Sequence, residues 1–251
     1  MSAVADVRLR QVVVVTHDLA AVAATLQSSF ALPEPFVDPG VGDFGLENRV
    51  FAAGSDFVEV LTPMREGTAG GRYLQRRGGD AGYMAIFQLA DLDAARRRVA
   101  DLGIRIVWQA DLDDISGTHL HPADVPGAII SLDRADPPES WHWAGPRWRG
   151  GAPADRVAGG VRSLTVQAAD PPAMAARWAE VLGVPAAGDV VVLVDAGQEL
   201  RFVPLPHGGS ATDEGIVAVG LDLPRPPVDL DVAGVRFTVG GAPGGSPRRG
   251  R

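Results

Sequence analysis

Short runs of β-branched and apolar residues, each closed by an aspartate and followed by a helix-period stretch, recur along this chain. The first is Gln11-Val-Val-Val-Val-Thr-His-Asp18, followed by Leu19 to Phe30. The second is Tyr83-Met-Ala-Ile-Phe-Gln-Leu-Ala-Asp91, with a helical pattern through Leu102 and a strand pattern from Gly103 to Val107. Ser163-Leu-Thr-Val-Gln-Ala-Ala-Asp170 opens a third copy, helical through Leu182. A fourth, compressed copy runs from Val217 to Leu223 and resumes from Ala233 to Val239. Self-similarity of this kind predicts one supersecondary unit used several times.

The punctuation supports the pattern. Asp18, Asp91 and Asp170 stand where a side chain accepts the free N–H groups of a first helical turn, and Pro171 suits the first helical position. Gly103, Gly183 and Gly234 stand where a left-handed helix cap belongs. Paired strand patterns follow each helix: Val50 to Ala53 with Phe57 to Leu61, Thr118 to His121 with Ala128 to Asp133, and Val190 to Asp195 with Leu200 to Val203. The unit reads βαβββ, four times over. The predicted fold class is α+β, with tandem βαβββ modules paired into two domains of curled mixed sheets. Residues 1–135 form the first domain, 136–158 a Trp- and Pro-rich linker, 159–240 a truncated second domain and 241–251 a disordered tail. The linker carries Trp141, Trp143 and Trp148. These rings pack against the two domains and fix their relation, or wall a ligand cleft.

Composition narrows the chemistry. Apolar residues are 46% and charged residues 22% of 251, an ordinary globular balance. The chain has no cysteine, and every basic residue is arginine. Thiolate nucleophiles, cysteine-held metals and Schiff-base or phosphate-loop lysines are therefore excluded. The net charge of −8 argues against a nucleic-acid partner. Arg96-Arg97-Arg98 reads as a solvated helix face, since Asp91, Asp93 and Asp101 surround it. No apolar run is long enough for a membrane span, and no basic-then-apolar leader opens the chain, so the expectation is a cytoplasmic protein, monomeric or homodimeric.

Tandem βαβββ units resemble the vicinal oxygen chelate superfamily, which includes glyoxalase I, methylmalonyl-CoA epimerase, extradiol dioxygenases and bleomycin-resistance proteins. The stretch Thr118-His-Leu-His-Pro-Ala-Asp-Val-Pro-Gly-Ala-Ile-Ile-Ser-Leu-Asp133 is similar to the His-Pro, loop, Gly, apolar-run segment of the epimerases. The resemblance implies a cleft floored by a divalent metal (Mg, Mn, Co, Zn or Ni) on four side chains. Carried over, these positions fall on Gln11, Glu59, Met84 and Ser131. Gln11 and Glu59 are oxygen donors, whereas a thioether and a neutral hydroxyl are poor partners for such cations, so the ligand set is incomplete. In the second domain the positions fall on Ser163 and near Phe202, Gly220 and Thr238, none a useful ligand.

Glu59 alternates with apolar neighbours in Asp56-Phe-Val-Glu-Val-Leu-Thr62, so a carboxylate is expected among apolar side chains. Desolvation there raises its pKa towards a useful proton acceptor, unless Arg49 or Arg72 pairs with it. His17 is expected near the rim, and His119 and His121 share one strand face; His142 and His207 carry no assignment. The resemblance thus implies a small-molecule isomerase or lyase that abstracts a proton next to a carbonyl or acyl thioester. Glu59 would be the base and His121 an auxiliary ligand or acid, with Met84, Ser131 and His119 against substrate. The alternative is a metal-free binding or sequestering module of the drug-resistance type. An extradiol dioxygenase needs two histidines and a carboxylate on iron, which these positions do not supply.

Overall fold

In the computed structural model, which describes residues 6–240, eighteen strands and α-helices make two seven-stranded mixed sheets with helices packed on one side of each. The predicted tail, 241–251, lies outside the described residues. The first sheet takes β1 (Val7–Val15), β2 (Leu46–Ala53), β3 (Asp56–Pro63), β4 (Ala81–Leu89), β5 (Ile106–Asp111), β6 (Ile115–Leu120) and β7 (Ile129–Ala135), in the spatial order β2-β3-β1-β4-β7-β6-β5. Its helices are α1 (Leu19–Phe30), α2 (Ala69–Arg77) and α3 (Leu92–Asp101). The two halves meet where β1 runs antiparallel to β4, and each of those strands has a parallel partner on its other side, β3 and β7.

The second sheet repeats this plan with β8 (Gly160–Ala168), β9 (Ala186–Ala187), β10 (Val190–Leu193), β11 (Gln198–Pro204), β12 (Gly215–Asp222), β13 (Val228–Val232) and β14 (Val235–Val239), plus α4 (Pro171–Leu182). Its order is β13-β14-β12-β8-β11-β10-β9. Asp18, Asp91 and Asp170 cap α1, α3 and α4 as predicted, each accepting an N–H three residues on.

Several local expectations are corrected. In the first module the second strand shrinks to a single bridge between Phe36 and Val50, because Pro33 and Pro35 remove the donors a ladder needs. Helix α2, capped by Thr68, precedes β4; its Gly-rich start hid it from a propensity reading. Among the described residues no α-helix joins β12 to β13, where Pro224, Pro226 and Pro227 intervene. Gly234 does not end a helix: with Ala233 it forms the positive-φ turn between β13 and β14. The arginine run is not a free solvated face either. Arg96 binds Thr118 and Asp111, and Arg98 Nε reaches the Val181 carbonyl of α4 at 2.9 Å.

One apolar core lies on the helix-covered sides of both sheets, joining Val12, Val58 and Phe87 to Trp178, Phe202 and Phe237. Burial of such large side chains is the main stabilising term. The sheets are bolted together by the Gln198 carboxamide. It accepts from Leu9 N–H at 2.7 Å and donates to the carbonyls of Leu9 and Val161, both at 2.8 Å. Asp56 adds a second tie, accepting from Val161 N–H at 2.8 Å and from Arg8.

Candidate functional site

The face of the first sheet away from its helices carries the predicted residues. Side chains alternate along strands, and the register sets two adjacent rows. Phe57, Gln11, Ile86 and Ser131 pair across one row, and Glu59, Val13, Met84 and Ile129 across the next. The four positions carried over from the resemblance therefore share one face.

Glu59 lies on β3, one strand in from the edge, and is 6% exposed. Gln11 Nε2 donates to its Oε2 at 2.6 Å, and Asn48 Nδ2 donates to its Oε1 at 2.6 Å. Neither Arg49 nor Arg72 pairs with it: Arg49 binds Glu47 and Arg72 binds the Gly67 carbonyl. Burial pushes the Glu59 carboxyl up to about 7, against the pull of its two carboxamide donors. The network continues outwards. Trp141 Nε1 donates to Gln11 Oε1 at 2.7 Å, and Asp38 N–H donates to Asn48 Oδ1 at 2.9 Å. Each donor and acceptor is thereby matched, as a buried polar cluster requires.

Trp141 belongs to the segment between β7 and β8, and this segment covers the face. The Trp141 ring is stacked on Phe57 at 6.1 Å, and Trp148 meets Phe57 edge-on at 4.8 Å. Both indoles are buried in an apolar cluster with Val13, Val15, Leu61, Met84 and Ile86. Of the two roles open to the tryptophans, neither description suffices: two of them fill the cleft itself.

A second carboxylate sits on the same face. Asp133 of β7 accepts from the Ser131 hydroxyl and, at 2.6 Å, from Trp143 Nε1; burial lifts its carboxyl to about 7. The His119 ring meets that of Trp108 at a tilt, 4.4 Å between centroids, and burial drops its imidazole to about 4, so it is neutral at physiological pH. Trp108 also faces Trp143 and Phe44, both at 6.1 Å, which makes an aromatic edge to the face.

The histidines do not gather at Glu59. His121 lies in the turn after β6, where Nδ1 accepts from Ala123 N–H at 3.1 Å. His17 is exposed and binds Asp80 at 3.0 Å. In the second sheet, Glu199 pairs with Ser163 as Phe57 does with Gln11, so Arg201 and not Phe202 holds the place of Glu59. Phe202 points to the helix-covered side, against Trp178. The error is one residue of register, which turns a side chain to the opposite face.

The donor set does not fit a divalent metal. Gln11 has both ends of its carboxamide engaged, Glu59 has both oxygens engaged, Met84 offers only sulfur, and the Ser131 hydroxyl donates to Asp133. Hard cations need several oxygen donors with charge among them. Among the described residues no group of three or more His, Asp or Glu side chains is placed to hold a metal.

Arg10 has no counterpart in the sequence reading. A β-bulge between Leu9 and Gln11 shifts the β1–β4 register, and bulges re-aim side chains. The guanidinium lies 5.5 Å from the Phe57 ring and 5.4 Å from that of Trp141, and Nη2 donates to the Glu139 carbonyl at 3.1 Å. Nothing in the residue pattern of β1 marked the bulge. Asn48 and Trp141 were missed as partners for a related reason, since they reach Glu59 and Gln11 from β2 and from the covering segment. Beside Arg10, where the two sheets and the covering segment meet, lies a cavity of about 490 Å³.

No protein-family model matches the chain, and no curated protein does. Solved structures do. A variant of 4-hydroxymandelate synthase from Streptomyces coelicolor superposes with a TM-score of 0.64 at 15% identity, over 86% of this chain and 70% of that one. Methylmalonyl-CoA epimerase from Mycobacterium tuberculosis gives 0.46 at 21% identity, over 54% and 93%. A Streptomyces coelicolor methylmalonyl-CoA epimerase variant in complex with 2-nitronate-propionyl-CoA gives 0.45 at 21%, over 51% and 96%. The chain has the vicinal oxygen chelate fold, in two copies, one per sheet. Among the described residues no helix is long and apolar enough to cross a membrane.

Proposed function

We propose that this chain is a metal-independent small-molecule-binding protein rather than an isomerase or lyase. One observation carries the reading: the Trp141 indole occupies the cleft of the first sheet and is wired through Gln11 to the only carboxylate at the family metal positions. A substrate that used Glu59 as its base would have to displace a buried ring and break a matched network. Open volume lies instead in the junction cavity.

Metal content after purification, followed by titration with manganese, cobalt and zinc, tests the metal half. The expected result is no stoichiometric site. A thermal-shift screen against acyl-CoA esters, 2-oxoaldehydes and aromatic antibiotics tests the binding half. Ligand shifts that persist in Glu59→Gln support the reading. A stoichiometric metal lost in Glu59→Gln, or turnover abolished by it, overturns it.

A second reading is favoured by acidity. Glu59 and Asp133 are both held near 7, the range in which a carboxyl serves as general acid or base at neutral pH. In that case the covering segment swings away, and Glu59 removes a proton next to a carbonyl, with Asp133 returning one. Loss of solvent-deuterium incorporation into an acyl thioester in both Glu59→Gln and Asp133→Asn distinguishes it.

A further inference from the structure

The junction cavity names no ligand by its charge, since four arginines there face four carboxylates. A second group of side chains stands open at the β5 edge of the first sheet. Trp108 meets the rings of Phe44 and Trp143, each with its centroid 6.1 Å away, at 72° and 60° to the Trp108 plane. The His119 ring lies against Trp108 as well. Phe57, Trp141 and Trp148 are buried, but these rings keep surface: Phe44 is 45% exposed, and Trp108, His119 and Trp143 are half-buried. A contiguous exposed aromatic patch of this kind marks an interaction site.

The rings are held in place from behind. A Cβ on Gly117 would come within 3.3 Å of the Trp108 indole and 3.2 Å of Asp133 Oδ2, so this glycine of β6 makes room for both. Trp143 Nε1 donates to Asp133 at 2.6 Å, which fixes the second indole. Phe44 ends a short 3-10 turn, Pro39–Phe44, whose preceding Asp38 is tied to Asn48. Walls set before a ligand arrives lose little freedom when it binds.

The charge here favours a cation. His119 is neutral, because burial drops its imidazole to about 4. Asp43 adjoins Phe44, and Asp113 and Asp114 follow β5. The cations beside them are Arg65, against Gly45, and Arg149, which is already engaged with His142 and Asp114. Aromatic faces are themselves negative and attract a cation within about 6 Å of the ring centroid. With centroids 6.1 Å apart and planes steeply inclined, one cation can stand within that reach of two rings at once. A primary ammonium would give up hydrogen bonds to water against such walls. A quaternary ammonium has none to give up.

We infer that the aromatic edge formed by Phe44, Trp108 and Trp143 binds a small molecule carrying a quaternary ammonium group. The three rings supply the π faces, and neutral His119 completes the wall without repelling the charge. The assignment rests on the reading of this chain as a binding protein. It adds a ligand class and a place apart from both Glu59 and the junction cavity.

The test titrates the full chain with choline and with the uncharged alcohol in which carbon replaces choline's nitrogen, a pair alike in shape. Binding is followed by calorimetry and by tryptophan fluorescence at constant ionic strength. Choline is expected to bind about tenfold tighter than the alcohol. Phe44→Leu keeps apolar bulk and loses the π face, and the exposure of Phe44 leaves the fold unaffected by the change. It weakens choline binding about threefold or more and leaves the alcohol unchanged, whereas Phe44→Tyr restores the affinity for choline. Trp108→Leu weakens choline binding about tenfold. Arg236→Ala, in the second sheet, changes nothing. The inference is overturned if choline shows no saturable binding by about 10 mM. Equal binding of choline and the alcohol, or choline binding undiminished in Phe44→Leu, also overturns it, as does an equal loss of both ligands in that variant. If choline fails while an acyl-CoA ester or antibiotic shifts the melting temperature, only this inference falls. If no compound of any class binds, the broader reading falls with it.

Discussion

The two sheets share one strand plan and differ on the face turned away from their helices. In the first sheet, β1 is buried on both sides from Leu9 to Val15, and all of β4 is buried. In the second sheet, β8 and β11 alternate: Leu164, Val166, Leu200 and Phe202 are buried, whereas Ser163, Thr165, Glu199 and Arg201 are half-exposed. The 136–158 segment makes the difference, because it lies over the first face. The second has no equivalent cover among the described residues. A covered face selects Val, Phe and Met with a fully matched polar cluster; an uncovered one selects hydroxyls and ion pairs. Position within the repeat does not fix chemistry. What lies over the position does.

Removing the cover should have the largest effect. Trp141→Ala is expected to cost about 3–5 kcal/mol in urea denaturation, through loss of a large buried ring and of the Gln11 partner. A loss under about 1 kcal/mol would mean that the segment rests on the face without filling it.

Next comes pH. Between about 4.5 and about 7 the folded protein holds on Glu59 a proton that the unfolded chain has released. Raising pH through that window therefore lowers stability, on the order of 3 kcal/mol for Glu59 alone, and above it the dependence from this group ends. Asp133, also raised to about 7, acts in the same direction. Melting temperatures measured from pH 4.5 to 7.5 should fall. A flat or rising curve would contradict a desolvated Glu59.

Glu59→Gln should flatten that slope. It should also cost about 1–3 kcal/mol at pH 8, because two amide donors then confront a side chain with one acceptor. Denaturation at pH 8 measures it, and a stabilised variant would mean that the network had rearranged. The smallest effect is expected on the uncovered face. Arg201→Ala loses only the half-exposed pair with Glu199, 2.7 Å long, and should stay within about 0.5 kcal/mol of the parent. An effect as large as that of Trp141→Ala would show this face to be covered as well.

Much of this plan was legible from periodicity. Aspartates 18, 91 and 170 announced three helices, and alternation within Asp56–Thr62 set Glu59 among apolar neighbours, because both signals act within a few residues; that Gln11, Met84 and Ser131 share its face came from the resemblance. What could not be read were relations made by distant segments. Asn48 meets Glu59 across a hairpin, Trp141 meets Gln11 from 130 positions away, and Arg10 owes its direction to a bulge set by β4. Register in the second sheet failed by a single residue at Phe202: β11 alternates, but which of its residues stands beside Thr165 is fixed by pairing with β8, a distant segment.

The carboxamide of Gln198 has a consequence for the independence of the two halves. Its three hydrogen bonds tie the opening strand of one half to the opening strand of the other, through atoms every backbone possesses. Two copies of one strand plan joined in this way stop being interchangeable parts. Expressed alone, the leading half exposes the Leu9 amide and carbonyl along a raw seam.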